Sequence, residues 1–276
     1  MIRILFLADT HLGYDLPFSP RVQRRRRGPD FFDNYHQALQ SAMRGEVDLV
    51  VHGGDLFFRA RVSERLIEMV MSPLVNIAEQ GIPVYLVPGN HERSRIPLRL
   101  WGTHKNLNIF NAPKTFLSQH GDITLALSGF PFARDVREHF CDLVDMTGTG
   151  QINADFHLLC IHQAVEGAVV GVQNYTFRGG RDVVRGSDIP EGITAVLSGH
   201  IHRAQVLTKD LHGQKLAAPV VFPGSIERTS FVERDEAKGF MILELDRGNS
   251  AHLVESGIKF NKLPTRPMVN LEVDVD

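Results

Sequence analysis

Residues 2–13 read IRILFLADTHLG, a short apolar run that ends in two potential ligand side chains, Asp9 and His11. The run Ile2–Ala8 has the length and the apolar character of a strand that is buried on both faces. In an extended chain, residues two apart point the same way, so Asp9 and His11 can be directed at one point. The stretch therefore predicts a buried strand that presents ligands at its carboxyl end.

The same pattern recurs along the chain. Turn residues follow five more apolar runs, at Val47–His52, Pro83–Pro88, Ile123–Gly129, Phe156–His162 and Ile193–Ser198. Helical spacing predicts helices at Phe32–Met43, Val62–Gln80 and Arg134–Val144, the second kinked by Pro73. Beyond Pro219 we expect strands without long helices, at Val220–Pro223, Gly239–Leu245, Ala251–Phe260 and Met268–Val275. These residues predict a mixed α/β fold.

The composition excludes several classes of protein. With 276 residues, 43% hydrophobic and 22% charged, the chain can bury a core, which excludes disorder, collagen-like repeats and a coiled coil as the main architecture. No apolar run approaches the ~20 residues that cross a bilayer, and the N-terminus lacks the features of a signal peptide. Two cysteines, Cys141 and Cys160, make no disulfide framework. We therefore expect a cytoplasmic protein without a membrane partner.

Side chains that can bind metals follow five of the predicted strands. They are Asp9, His11, Asp55, Asn90, His162, His200 and His202. Ligand sites of α/β sheets lie beyond the carboxyl ends of strands, and glycines at 53, 54, 89 and 199 permit tight loops there. Any one of these residues alone would more often be a chance match or a core residue. Together, in this order, they predict a metal centre.

The donor types indicate the metals and the substrate. Imidazole, carboxylate and amide donors suit a pair of borderline divalent cations such as Mn²⁺, Fe²⁺ or Zn²⁺, and the lack of cysteine ligands argues against a structural zinc site. Two such ions, two aspartates and a bridging hydroxide leave one positive charge, which a phosphodiester anion would neutralise. Two metals can activate a bridging water and hold the scissile phosphate. The set therefore favours phosphodiester hydrolysis.

The order D-x-H, G-D, G-N-H-[DE], H and G-H-x-H resembles that of the calcineurin-like metallophosphoesterases. The strings LADTHLG, HGGDLF, VPGNHE, IHQAVEG, SGHIHRAQV and FPGSIERTSFVERDEAKGF are similar to the nuclease subunit of SbcCD-type DNA-repair complexes, over roughly residues 1–260. The resemblance implies a four-layer αββα sandwich of two mixed sheets with a dinuclear site at one edge. It also implies a Mn²⁺-dependent DNA exo- or endonuclease of double-strand-break repair.

The resemblance assigns roles within the site. Asp9, His11 and His202 would hold one ion, Asn90, His162 and His200 the other, and Asp55 would bridge the two. His91 would be catalytic, facing the phosphate without binding metal. Glu92 would orient His91, with a solvated carboxylate as the alternative.

The chain departs from its relatives in two places. Phe58 stands where the nucleases usually have His or Asp after GDLF; His52 is a possible substitute, with a buried core histidine as the alternative. The relatives continue into a capping domain and a helical segment that binds a coiled-coil ATPase. We expect a nuclease domain at residues 1–260, with 261–276 either a final strand or the start of a truncated cap. The partners expected are DNA, an SbcC-type ATPase bound through a missing segment, and a second copy in a homodimer.

Basic residues follow four of the ligand loops. Candidate DNA-backbone contacts are Arg24, Arg25, Arg26, Arg27, Arg59, Arg61, Arg93, Arg95 and Arg203, with solvated loops as the alternative. Two other functions stay open: a phosphodiesterase acting on a small nucleotide, or a protein phosphatase; and a non-catalytic scaffold that binds DNA ends or an ATPase. Pro88 stands where the Ser/Thr phosphatases place an arginine, which argues against a protein phosphatase.

Overall fold

Two six-stranded sheets form the centre of the fold in the computed structural model, which describes residues 1–16, 26–92, 104–247 and 257–272. The first sheet contains β1 (Ile2–Leu7), β2 (Leu49–His52), β3 (Val84–Leu86), β4 (Leu107–Ile109), β15 (Gly239–Leu245) and β16 (Ile258–Lys262). The second contains β5 (Lys114–His120), β6 (Ile123–Gly129), β7 (Phe156–Ile161), β12 (Ala195–Ser198), β13 (Gln205–Lys209) and β14 (Lys215–Phe222). Four strands of two residues pair outside these sheets: β8 (Ala164–Val165) with β11 (Val183–Val184), and β9 (Val169–Val170) with β10 (Tyr175–Thr176).

Each large sheet has four adjacent parallel strands. In the first sheet, whose order is β16-β15-β1-β2-β3-β4, strands β1 to β4 are parallel and β15 is antiparallel to β1. In the second, whose order is β13-β14-β12-β7-β6-β5, the parallel strands are β14, β12, β7 and β6. The carboxyl ends of the parallel strands therefore lie at a common edge in each sheet, where the polar loops begin.

Alternate residues of the strands pack on opposite sides of each sheet, as the two-residue period of a strand requires. In β1, Ile4 and Phe6 enter the core between the sheets, whereas Leu5 and Leu7 face the helices. The helices are α1 (Gly28–Met43), α2 (Glu64–Glu79) and α3 (Val136–Thr147). Helices α1 and α2 cover the first sheet and α3 covers the second, so the αββα layering predicted from the resemblance is confirmed.

The predicted helices agree with the structure to within a few residues. The Ser63 hydroxyl accepts a hydrogen bond from the Leu66 N–H at the start of α2, and the helix runs through Pro73 to Glu79. No helix in the described ranges combines the length and the hydropathy that a membrane span needs.

The predicted strand at Met268–Val275 is wrong over the part that the structure describes. Residues 268–272 form no strand, and Val269 and Leu271 are 69% and 84% exposed. The alternation of apolar and polar residues indicates a half-buried strand only where a neighbour supplies pairing, and no described strand pairs here. By contrast, β16 continues to Lys262, and Leu263 is buried against the first sheet's helices.

Candidate metal centre

The seven predicted ligands meet where the carboxyl ends of the two sheets come together. Asp9, His11, Asp55 and Asn90 follow β1, β2 and β3 of the first sheet, and His162, His200 and His202 follow β7 and β12 of the second. Four of these residues, Asp9, His11, Asp55 and His162, are at most 2% exposed. The site is therefore a buried junction between sheets.

One group of donors consists of Asp9, His11 and His202, whose ligand atoms lie within 4.8 Å of one another. The Nε2 atoms of His11 and His202 are 3.0 Å apart, and His202 Nε2 is 3.9 Å from Asp9 Oδ1. These are the three residues expected to share one ion.

The second group converges on the amide oxygen of Asn90. His162 Nε2 lies 3.1 Å and His200 Nδ1 3.0 Å from Asn90 Oδ1. Asp55 Oδ2 lies between the two groups, 3.4 Å from His162 Nε2 and 4.0 Å from His11 Nε2. The geometry fits the predicted bridging position of Asp55.

The protonation pattern fits a bound cation. His162 Nδ1 faces the Gly53 carbonyl at 2.7 Å and must donate there, so in the neutral ring Nε2 points its lone pair at two oxygens. His202 Nδ1 likewise faces a carboxylate and its Nε2 faces His11 Nε2, and within the described residues the buried His11 Nδ1 has no hydrogen-bond partner. The lone pair of the neutral His162 ring and the two oxygens that it faces repel unless a positive charge lies between them, and a divalent ion at these donors would supply it.

The electrostatics of the donor groups agree. Burial raises the pKa of Asp9 to about 6. Burial would lower the pKa of His162, but the carboxylate of Asp55 outweighs it and raises that pKa to about 9. For Asp55, burial acts to raise the pKa, yet the charge and hydrogen bond of His162 hold it below its usual range. A proton on His162 thus supplies the positive charge that these oxygens require. Burial and the nearby His162 lower the pKa of His200 to about 3, so this ring is neutral.

The ligand loops have strained backbones. Asp9, His11, Asp55 and His200 all have positive φ angles, of 51°, 44°, 53° and 78°. Such angles are uncommon outside glycine and concentrate at functional sites. Main-chain hydrogen bonds between the loops hold these angles. Asp9 N donates to Gly54 O at 2.9 Å, and His11 N donates to Asp55 O at 3.0 Å.

Three of the predicted glycines are required by close packing. A Cβ on Gly199 would collide with the Gly53 carbonyl. A Cβ on Gly54 would collide with the His162 ring, and a Cβ on Gly89 would collide with Asp55. These loops approach one another more closely than any larger residue permits.

Glu92 has a different role from the one predicted. The carboxylate is 3% exposed, which excludes the solvated alternative. It accepts hydrogen bonds from three main-chain N–H groups, those of Asp55, Phe57 and Gly89, at 3.1, 2.6 and 2.8 Å. It therefore orients the Asp55 loop rather than His91. Burial and the nearby Asp55 charge raise the pKa of Glu92 to about 8.

His91 is held by main-chain atoms. Its Nδ1 donates to the Phe58 carbonyl at 2.6 Å, its own N–H donates to Asp55 Oδ1 at 2.9 Å, and its side chain is 34% exposed. Its Nε2 lies 3.8 Å from Asp55 Oδ2, within reach of the ligands and of an approaching molecule.

His52, the possible substitute for the polar residue replaced by Phe58, is instead a buried structural residue. Its Nε2 donates to the Thr10 hydroxyl at 3.1 Å, and its Nδ1 accepts from the Gly54 N–H at 3.3 Å. Burial and the charge of His162 lower its pKa to about 3, so the ring is neutral and links the first two ligand loops.

A carboxylate behind His202 was missed in the sequence. Glu233 Oε1 lies 3.2 Å from His202 Nδ1 and accepts from the Thr229 hydroxyl at 2.7 Å. The fully buried ammonium of Lys238 pairs with Glu233 at 2.6 Å and donates to the His202 carbonyl at 2.9 Å. A carboxylate on the distal nitrogen of a ligand histidine fixes its ring and tautomer. The segment FPGSIERTSFVERDEAKGF contains Thr229, Glu233 and Lys238, but nothing in it indicates that they contact His202.

The candidate DNA-contacting arginines divide into three groups. Arg24, Arg25, Arg93 and Arg95 lie outside the described residues. Three others are engaged within the protein: Arg26 with Asp15, Arg27 with Glu227, and Arg203 with Glu236, Asn174 and the Gly171 carbonyl. The prediction that Arg203 contacts the DNA backbone is therefore withdrawn, because all three of its guanidinium nitrogens already donate to protein acceptors. Arg59 and Arg61 are exposed beside His91, where they line an open cavity.

The chain is similar to known proteins in sequence and in fold. A family model described as calcineurin-like phosphoesterase matches residues 2–204. The chain is 26% identical over 218 residues to the DNA double-strand break repair protein Mre11 of Saccharolobus solfataricus, with 76% of this chain and 52% of that protein covered. It is 24% identical over 273 residues to the protein of the same name from Methanopyrus kandleri, with 90% and 55% covered. The chain thus spans about half the length of these curated relatives.

Solved structures show the same fold at low identity. A dimetal phosphatase from Danio rerio is 13% identical with a TM-score of 0.52, and 88% of this chain and 92% of that one are covered. A protein of Thermus thermophilus is 9% identical with a TM-score of 0.56, and 95% and 98% are covered. At these identities the likeness concerns the fold alone.

Proposed function

Because the chain belongs to the calcineurin-like phosphoesterase family, we propose that it is a metal-dependent nuclease that hydrolyses phosphodiester bonds at DNA ends in double-strand-break repair. The observation that supports this most is the convergence of the predicted ligands from both sheets with His91 beside them. The curated relatives favour DNA over other phosphodiesters, since the matches extend over most of this chain.

The ligand set has distinct tasks in this proposal. Asp9, His11 and His202 would hold one divalent ion, Asn90, His162 and His200 would hold the other, and Asp55 would be shared by both. When bound, the two ions would supply Lewis acidity toward the phosphate and activate a water as the nucleophile. Imidazole and carboxylate donors suit Mn²⁺, which we propose as the working metal.

His91 is the catalytic residue that the chain itself supplies. The Phe58 carbonyl fixes its Nδ1–H, which leaves Nε2 to face the substrate. A protonated Nε2 can donate to a phosphate oxygen or give its proton to the leaving oxygen, a role that contributes typically about 10²–10⁴-fold in rate. Its partial exposure allows that contact.

Arg59 and Arg61 are the described arginines that we propose as DNA-backbone contacts. Both guanidiniums are exposed within the chain segment that leads away from Asp55. Contacts of this type position a strand without reading its sequence. The proposal extends to a cytoplasmic location, an SbcC-type ATPase partner, a homodimer, and a cap beginning at 261–276.

The experiment is hydrolysis of end-labelled linear DNA, single- and double-stranded, across a Mn²⁺ titration. We expect nucleotide release that requires Mn²⁺ and is reduced at least about 100-fold in His91→Ala. Metal content, measured in parallel, should be unchanged in that variant because His91 is not a ligand.

Two outcomes would contradict the proposal. Retained activity in His91→Ala would remove its catalytic role. Hydrolysis of a simple aryl phosphodiester without any release from DNA would indicate a working metal centre for a small nucleotide, the alternative phosphodiesterase function.

A further inference from the structure

An open cavity adjoins the metal centre on the side of His91. Its volume is about 660 Å³, within the usual range for small-molecule sites. It is lined by Phe58, Arg59, Ala60, Arg61, Asn90 and His91. One wall therefore consists of a metal ligand and the catalytic histidine, and the rest comes from the segment 58–61.

Phe58 is braced within this wall. Its ring lies 4.8 Å from that of Tyr14 at 82°, and 5.8 Å from that of His91. Tyr14 is itself fixed, because its hydroxyl donates to the Thr229 carbonyl at 2.8 Å and its ring packs 5.1 Å from Phe31. Phe58 is only half-buried, so a rigid aromatic surface remains available to the cavity.

The charges of the cavity match a nucleotide. Arg59 and Arg61 are exposed, and no hydrogen bond or ion pair in the described part of the chain occupies either guanidinium. The aromatic wall matches a base, and the two arginines match a neighbouring phosphate. The proposed metal centre beside them matches the scissile phosphate.

We propose that this cavity is the subsite for the nucleobase adjoining the scissile phosphate, and that the base stacks on Phe58. The inference rests on the proposed nuclease function and names the form of its substrate. A base inside a duplex has both faces covered by its neighbours, so the subsite favours an unpaired base over one inside a duplex. Phe58 offers no hydrogen-bonding group, and every base has a π-face, so the subsite selects unpaired ends without selecting a sequence.

The test compares two single-stranded oligomers of equal length with the full chain and Mn²⁺: a thymidine oligomer and its abasic counterpart. Stacking of this kind predicts a KM at least about ten-fold lower for the oligomer with bases. Phe58→Leu, which keeps an apolar side chain against Tyr14, should bring the ratio of the two KM values close to one. Phe58→Trp should restore the preference. Tyr175→Leu removes an exposed aromatic residue on the β9–β10 hairpin and should keep the wild-type ratio.

Binding of the same oligomers, measured by competition without turnover, separates this inference from the nuclease proposal. Equal affinity of the wild-type chain for both oligomers would overturn the subsite, and a base preference that survives in Phe58→Leu would overturn the role of Phe58. Base-dependent binding without cleavage would overturn the nuclease function and leave the stacking site standing.

Discussion

Single residues behind the ligands set the properties of the site. Glu233 and Lys238 together hold His202, Glu233 at its ring and Lys238 at its carbonyl. Burial acts to raise the pKa of Glu233, but the hydrogen bond from His202 and the charge of Lys238 keep it below its usual range. Glu233 is therefore an anion in the folded chain.

Glu233→Gln should weaken metal binding by about 10- to 100-fold, because loss of the carboxylate frees the ring of His202. Isothermal titration with Mn²⁺ measures this directly, with Glu244→Gln as a control at an exposed carboxylate. Unchanged affinity in Glu233→Gln would show that the ring is held by its other contacts.

Metal uptake should release protons at neutral pH. In the metal-free chain the pKa of His162 is raised to about 9 by Asp55, so its Nε2 is protonated below that pH and must lose the proton to bind metal. Affinity should therefore rise as the pH increases from neutrality toward that pKa. His52 and His200, with pKa values lowered to about 3, contribute no proton.

Titration in buffers of different ionisation enthalpy counts the released protons. At neutral pH we expect at least about one per chain, because the His162 ring must be deprotonated. Burial acts to lower the pKa of His202, but its hydrogen bond to Glu233 raises that pKa, so this ring adds to the release. Identical heats in all buffers would contradict the assignment of a charged His162.

At the scale of elements, the loops after the strands determine the site more than the strands do. Four ligands adopt left-handed backbone angles, and main-chain hydrogen bonds between the loops keep them there. Glu92 joins these loops through three N–H groups. The ligands are consequently pre-arranged by backbone contacts.

Gly89→Ala tests this arrangement. The added methyl would collide with the carboxylate and main chain of Asp55, so we expect at least about ten-fold weaker metal binding and a destabilisation of about 1–3 kcal/mol. Gly150→Ala is the matched control, because its Cβ would meet no atom within 4 Å and its φ is not positive. Metal content and thermal denaturation, measured for both variants, report the loss of metal binding and the loss of stability. Equal metal content would show that the Asp55 loop can shift at little cost.

At the scale of the whole molecule, the metal centre joins the two halves of the sandwich. The first sheet contributes Asp9, His11, Asp55 and Asn90, and the second contributes the three remaining histidines. Bound metal should therefore act as a cross-link between the sheets, in addition to the core between them.

Saturating Mn²⁺ should stabilise the chain. At about 100 times Kd, linkage gives about 2.7 kcal/mol, which corresponds to roughly 5–10 °C in Tm for a chain of this size. Thermal denaturation with and without Mn²⁺ measures the shift. Asp55→Ala should abolish it, since we propose that Asp55 bridges both ions, and a full shift in that variant would contradict the bridging role.

The sequence by itself determined a mixed α/β fold and the order of the ligands along the chain, whereas the layering of the fold was implied by the family resemblance. It did so because strands, turns and ligand spacing are local patterns of a few residues. The strand predicted at Met268–Val275 failed over its described part, because pairing is a property of neighbours and not of alternation.

Only the tertiary structure decided which partners surround the ligands. Glu92 reaches the loops of Asp55 and Gly89, Glu233 reaches His202 from 31 residues away, and Arg203 is occupied by Glu236. The Phe58 carbonyl, rather than a side chain, holds His91. Carboxylates and main-chain groups leave no distinctive spacing in a sequence, since their role depends on which distant loop the fold brings within about 3 Å.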